Sequence, residues 1–164
     1  MIPKSKQKVL TIAVFAAVAV LFALFGPGGP FGGFGDSETV GVDPEDKALV
    51  ALGKTVYAAH CAECHGANLE GQPNWRSRNP DGTLPAPPHD DSGHTWHHPD
   101  RDMFNYTKNG GQALAPPGFK SAMPGFAEIL TDREIWAVLS YIHTHWSPRA
   151  AERQRRIDAQ SRGR

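Results

Sequence analysis

The sequence predicts an all-α fold, a small domain of about three main helices joined by long Pro/Gly-rich loops. Three observations carry this reading. Helix-start signals stand at three places, each followed by apolar residues at a spacing near 3.6. No segment alternates apolar and polar residues as a half-buried strand would. The 17 glycines and 14 prolines among 164 residues leave few stretches that can hold a helix. A chain of this length suggests one globular domain, with no internal repeat.

Residues 1–25 are expected to be a signal-anchor or transmembrane helix. Val9 to Phe25 carries no charge and only Thr11 is polar, with Lys4, Lys6 and Lys8 ahead of it. The run spans about 26 Å as a helix, slightly short of a ~30 Å hydrocarbon core. The alternative is a cleaved secretory signal, but the nearest Ala-x-Ala (Ala17 to Ala19) lies inside the apolar run rather than after it. Either way the lysines stay inside and the following domain is exported. Residues 26–42 read as a flexible Gly/Pro linker.

Residues 43–148 hold the folded domain. Its first helix is expected to start at Asp43-Pro44-Glu45-Asp46, with an N-cap acid and a proline at the first helical position. Leu49, Leu52, Val56 and Tyr57 then carry it to about His60. The second starts at His98-Pro99-Asp100, includes Met103, Phe104 and Thr107, and stops at Asn109-Gly110-Gly111. The third opens on the capping box Thr131-Asp132-Arg133-Glu134 and runs to about Trp146. Residues 149–164 are expected to be a basic, disordered tail, with six arginines against Glu152 and Asp158. The formal charge is zero overall, yet the part between the lysines and this tail holds 8 basic and 15 acidic residues. An acidic domain of this kind is a poor nucleic-acid binder and is suited to steering toward a basic docking surface.

Both cysteines fall within Cys61-Ala62-Glu63-Cys64-His65. Cys-x-x-Cys alone fits a redox dithiol or half a zinc site, but a histidine immediately after the second cysteine points to thioether attachment of haem. One such motif means one haem. A domain with so few residues gains much from a large apolar cofactor.

With a helix before this motif and an amphipathic helix at the end, the chain from about Asp43 to Trp146 resembles a class I c-type cytochrome, monohaem and membrane-anchored. The residues that carry the likeness are Gly53-Lys54-Thr55-Val56-Tyr57, Cys61 to Gly66, Gly71-Gln72-Pro73, Met123-Pro124-Gly125-Phe126 and Leu139-Ser140-Tyr141-Ile142. The resemblance implies a haem c bound by Cys61 and Cys64, iron ligated by His65 and Met123, and the carbonyl of Pro73 accepting from the His65 ring. It also implies a close crossing of the first and last helices, with Gly53 and Tyr57 facing Trp136 and Tyr141. Trp96 is a candidate donor to a haem propionate, as are Trp75, Arg76 and Arg78. Met103 reads as core filler, and His60 and His98 as loop or surface histidines.

Methionine opposite histidine closes the iron and raises its reduction potential, which suits electron transfer. The expected function is a one-electron carrier with no catalytic residue, passing electrons between membrane respiratory complexes, for example to a terminal oxidase or reductase. Its partners would be donor and acceptor proteins at the membrane, its haem domain extracytoplasmic on the periplasmic side. The alternative is a haem subunit of a periplasmic oxidoreductase acting on a small sulfur, nitrogen or copper species. The stretch from Trp75 to Trp96 is longer than in a minimal family member. Its His89, His94, His97 and His98, near Asp90-Asp91, form a candidate second metal site.

Overall fold

A computed structural model describes residues 41–163, and the expected N-terminal helix and most of the linker lie outside them. Five α-helices make up the described part: α1 (Lys47–His60), α2 (Ala62–His65), α3 (Asp100–Asn109), α4 (Asp132–His143) and α5 (Pro148–Arg162). Short 3-10 turns stand at Thr95–His97 and Gly111–Leu114. Among the described residues there is no strand, and no helix is long and apolar enough to cross a membrane.

α1 begins three residues later than the Asp43 signal predicts. The side chain of Asp46 accepts from the backbone N–H groups of Ala48 and Leu49, which makes it the N-cap. Asp43 instead closes a turn ahead of the helix by accepting from Glu45 and Asp46. Its own N–H donates to Ser140 Oγ on α4 and ties the domain's start to its far end. The capping box of α4 forms as expected, with Thr131 and Glu134 each accepting from the other's backbone N–H.

α1 and α4 cross at Gly53. A Cβ there would overlap the carbonyl of Ala137 and stand 2.9 Å from Tyr141 Cβ, so only glycine lets the helices meet this closely. Tyr57 and Tyr141 pack with ring centroids 5.5 Å apart, as expected. Trp136 does not join them. It lies one position round the helix from Ala137 and stacks on Phe104 of α3 at 4.3 Å, fastening the third helix to the pair. Met103 is buried in the same core, as the core-filler reading requires.

The segment expected to be a disordered tail is the fifteen-residue helix α5, capped by Ser147 with Pro148 in its first turn. Its arginines misled the reading, because the face that packs is polar. Gln154 and Asp158 are 2 % and 6 % exposed, and both bond to the start of α3. Asp158 Oδ1 accepts from the Asp100 N–H at 3.0 Å, and Gln154 donates to Asp100 Oδ1 at 2.6 Å. α3 has no side-chain cap of its own, so α5 satisfies one of its orphan donors.

Candidate functional site

The site is built around the turn that follows α1. Cys61 ends that helix and Ala62–His65 make one further turn, which places Cys61 and Cys64 three residues apart on successive backbone N–H bonds. Both thiols are free, Cys61 half-buried and Cys64 exposed. Burial, then the neighbouring Cys64, pushes the Cys61 thiol up to about 11.

His65 is buried, and burial holds its ring below the usual imidazole range, in the neutral form a metal ligand needs. Its Nδ1 donates to a backbone carbonyl at 2.8 Å. That bond fixes the tautomer and leaves Nε2 as the nitrogen available to a metal. Tyr57, buried in α1, donates its hydroxyl to the Gly66 carbonyl at 2.9 Å and pins the turn just beyond His65.

The acceptor for His65 is Pro87, not Pro73. The physical reason is where the extra length of this chain enters. Segments 69–72 and 86–89 run side by side, with Gln72 N–H donating to the Ala86 carbonyl and His89 N–H to the Leu69 carbonyl. Gly71 has a φ of +68°, and a Cβ on it would stand 2.6 Å from the Pro87 carbonyl carbon. The glycine therefore lets the Pro87–Pro88 backbone press against the chain that follows His65. Residues 73–85 form an excursion that opens after Gln72 and closes at Ala86, so Pro73 is carried away and Pro87 stands in the place foreseen for it.

That excursion is held by its own contacts and by the segment ahead of Met123, where Lys120 Nζ donates to the Asp81 carbonyl at 3.0 Å and Phe119 lies under Arg78 at 5.2 Å. Arg78 donates to the Gly82 carbonyl and Arg76 lies over the Trp75 ring at 4.0 Å. Trp75 in turn stacks on His94 at 5.6 Å. These side chains are engaged within the loop and its neighbours rather than with the turn that carries His65.

Trp96 is different. Its Nε1 is one of two buried side-chain nitrogens or oxygens among the described residues that lack a hydrogen-bond partner, the other being His143 Nε2. A buried N–H without an acceptor costs about 1–3 kcal/mol. A haem carboxylate would satisfy it, so this donor fits the expected cofactor.

Met123 is half-buried against the core. Its loop is fastened to α3: the Met123 carbonyl accepts from the Gly111 N–H at 3.0 Å, and Phe126 N–H donates to the carbonyls of Thr107 and Lys108. Ser121 anchors the loop's other arm by accepting from the Met123 N–H and meeting the Tyr106 hydroxyl at 3.2 Å. The methionine is thus presented on a braced loop. His60 is exposed.

The second metal site has no counterpart, since among the described residues no group of three or more His, Cys, Asp or Glu is placed to hold an ion. His94 and His98 meet edge to face with ring centroids 5.3 Å apart, but each loop histidine is also engaged elsewhere. His94 lies on Trp75, His97 against Trp96, and His89 stacks on His65 with ring centroids 4.0 Å apart. Sequence reasoning missed this last role. The one available signal was Pro87-Pro88-His89, a proline pair that fixes the backbone just before the histidine.

A family model described as Cytochrome c matches residues 50–146, well over half of the chain. No curated protein and no solved structure matches it.

Proposed function

The chain belongs to the cytochrome c family, and from that premise we propose that it is a one-electron carrier with a single haem c, its iron ligated by His65 and Met123. The family binds haem c covalently, and Cys61-Ala62-Glu63-Cys64-His65 fits its attachment motif. It is a family of electron-transfer haem proteins. The single observation that carries the finer reading is the His65 ring, buried, neutral and held by Nδ1 with Nε2 free.

When bound, the haem supplies the one-electron couple. The chain's own residues do the rest. Cys61 and Cys64 would tether the macrocycle through thioethers, so that it could not dissociate. Pro87 holds the His65 ring in one tautomer and raises its basicity toward the metal. Trp96 offers its N–H to a propionate, and the braced loop offers the Met123 sulfur. With His65 and Met123 both holding the iron, no acid–base group or nucleophile would be called for.

We further propose that the domain works outside the cytoplasm, on a membrane tether formed by residues 9–25, between donor and acceptor proteins at the membrane. The uncharged run and the lysines before it support this. The excess of acidic residues in the central region supports docking to a basic surface.

The test is spectroscopic. Purified protein should carry one haem through two thioethers, and its ferric form should show the weak long-wavelength band of an iron–sulfur bond. Met123→Ala should abolish that band and open the reduced iron to carbon monoxide. Rapid carbon monoxide binding by the wild type would defeat the carrier reading.

A further inference from the structure

We propose that His89 is a positioning residue for the iron ligand, setting the plane of the His65 imidazole and, through it, the reduction potential; this rests on the haem reading above. The ligand ring has one hydrogen bond, from Nδ1 to Pro87. A single bond along that direction fixes which nitrogen faces the metal but leaves the ring free to turn about the bond's axis. What resists turning is a surface laid against the face of the ring. His89 is that surface, with centroids 4.0 Å apart and planes inclined by 23°.

A surface can only fix its neighbour if it is itself fixed. His89 is held at three points from three parts of the chain. Its N–H donates to the Leu69 carbonyl at 2.8 Å, four residues beyond the ligand. Its carbonyl accepts from Trp146 Nε1 at 2.9 Å, beyond the end of α4. Its ring Nδ1 lies 2.8 Å from Thr95 Oγ1. Backbone and ring are both immobilised, which an aliphatic residue packed in the same place would not achieve for the ring plane.

Two consequences follow for the iron. The orientation of an axial imidazole relative to the porphyrin sets the magnetic axes of the ferric ion, so a fixed plane gives one sharp set of axes. Oxidation of the iron also spreads positive charge onto the ligand ring, and a π face lying against that ring stabilises it. His89 should therefore favour the ferric state relative to an aliphatic neighbour.

The experiment uses the full-length holoprotein and the variants His89→Leu, His89→Phe and Thr95→Val. It reads the hyperfine-shifted haem-methyl resonances of the ferric protein, its frozen-solution g-values and its midpoint potential. His89→Leu should reorder the methyl shifts, spread the g-values and raise the potential, while the Met123 band remains. His89→Phe, which keeps a flat face, should move them less, and Thr95→Val, which only unpins the ring, should move them in the same sense as His89→Leu. An unchanged methyl pattern and potential in folded His89→Leu would overturn the proposal. If that variant yields no holoprotein, the same result in Thr95→Val overturns it. If the wild type carries no thioether-bound haem, the carrier reading fails first and takes this proposal with it, a result plainly different from a haem protein indifferent to residue 89.

Discussion

The domain is joined at two seams of opposite character. Where α1 crosses α4, contact is apolar and close, with Gly53 set against the Ala137 backbone and Tyr57 against Tyr141. Where α5 meets α3 the contact is polar, with Gln154 and Asp158 converging on Asp100. His143 Nε2 lies 3.4 Å from Asp100 Oδ1 without a hydrogen bond to it, and Arg162 pairs with Asp158 Oδ2 at 2.6 Å. The first seam tolerates no added volume, and the second tolerates no lost partner. Closeness specifies one, and hydrogen-bond satisfaction specifies the other.

The sharpest way to break the comparison is to add volume at the first seam. Gly53→Val should destabilise the domain by about 3 kcal/mol, because the helices must separate before the side chain fits. Denaturant unfolding followed by α-helical ellipticity would measure it, and a loss below about 1 kcal/mol would mean the crossing can yield. At the second seam, Asp158→Ala removes the acceptor for the Asp100 N–H and should cost about 1–3 kcal/mol. Arg155→Ala and Arg156→Ala, on the same helix, should each cost about 0.5 kcal/mol or less. Among the described residues those arginines pair only with Glu152, on the exposed face of α5. Equal effects from Asp158 and the arginines would erase the distinction between the packed and solvated faces of α5.

The smallest expected effect is a response to pH beside the second seam. His97 sits lower than an ordinary imidazole, from burial first, then Arg153 of α5 and His98. His94 is lowered by burial and then by His98, His97 and Arg76. Folded values below the unfolded one mean that the unfolded chain takes up protons first as the solution is acidified. Stability is therefore retained above about pH 6.5 and erodes below it. Comparing the denaturant midpoints at pH 7.5 and 5.5 for the wild type and a His94→Asn, His97→Asn variant should show a smaller drop in the variant. The His97 ring is largely exposed and the His94 ring about half so, and the difference should be modest.

The contrast also explains what could be read from the chain. The seam of α1 and α4 was legible because apolar residues at helical spacing and a glycine between them are what a close crossing needs. Cys61, Cys64 and His65 were legible because the chemistry of attachment fixes their spacing. α5 was not, since arginine-rich sequence looks solvated and its few packed side chains, Gln154 and Asp158, are polar. Pro87 and His89 were hidden for another reason. Their roles depend on where an insertion begins and ends, which is decided by backbone bonds between Gln72 and Ala86 and between Leu69 and His89. No residue type announces such a junction, and the nearer proline, Pro73, offered itself instead.

The excursion from 73 to 85 leaves and rejoins the body of the protein at a single pinch. Nothing that grips His65 lies within it: Leu69, Pro87 and His89 all stand outside the loop. Its tip, however, is tied to the segment ahead of Met123, with Lys120 Nζ donating to the Asp81 carbonyl at 3.0 Å and Arg78 over the Phe119 ring at 5.2 Å. A change in the loop's length can therefore be absorbed without moving the backbone around His65, but not without reaching the arm that carries Met123.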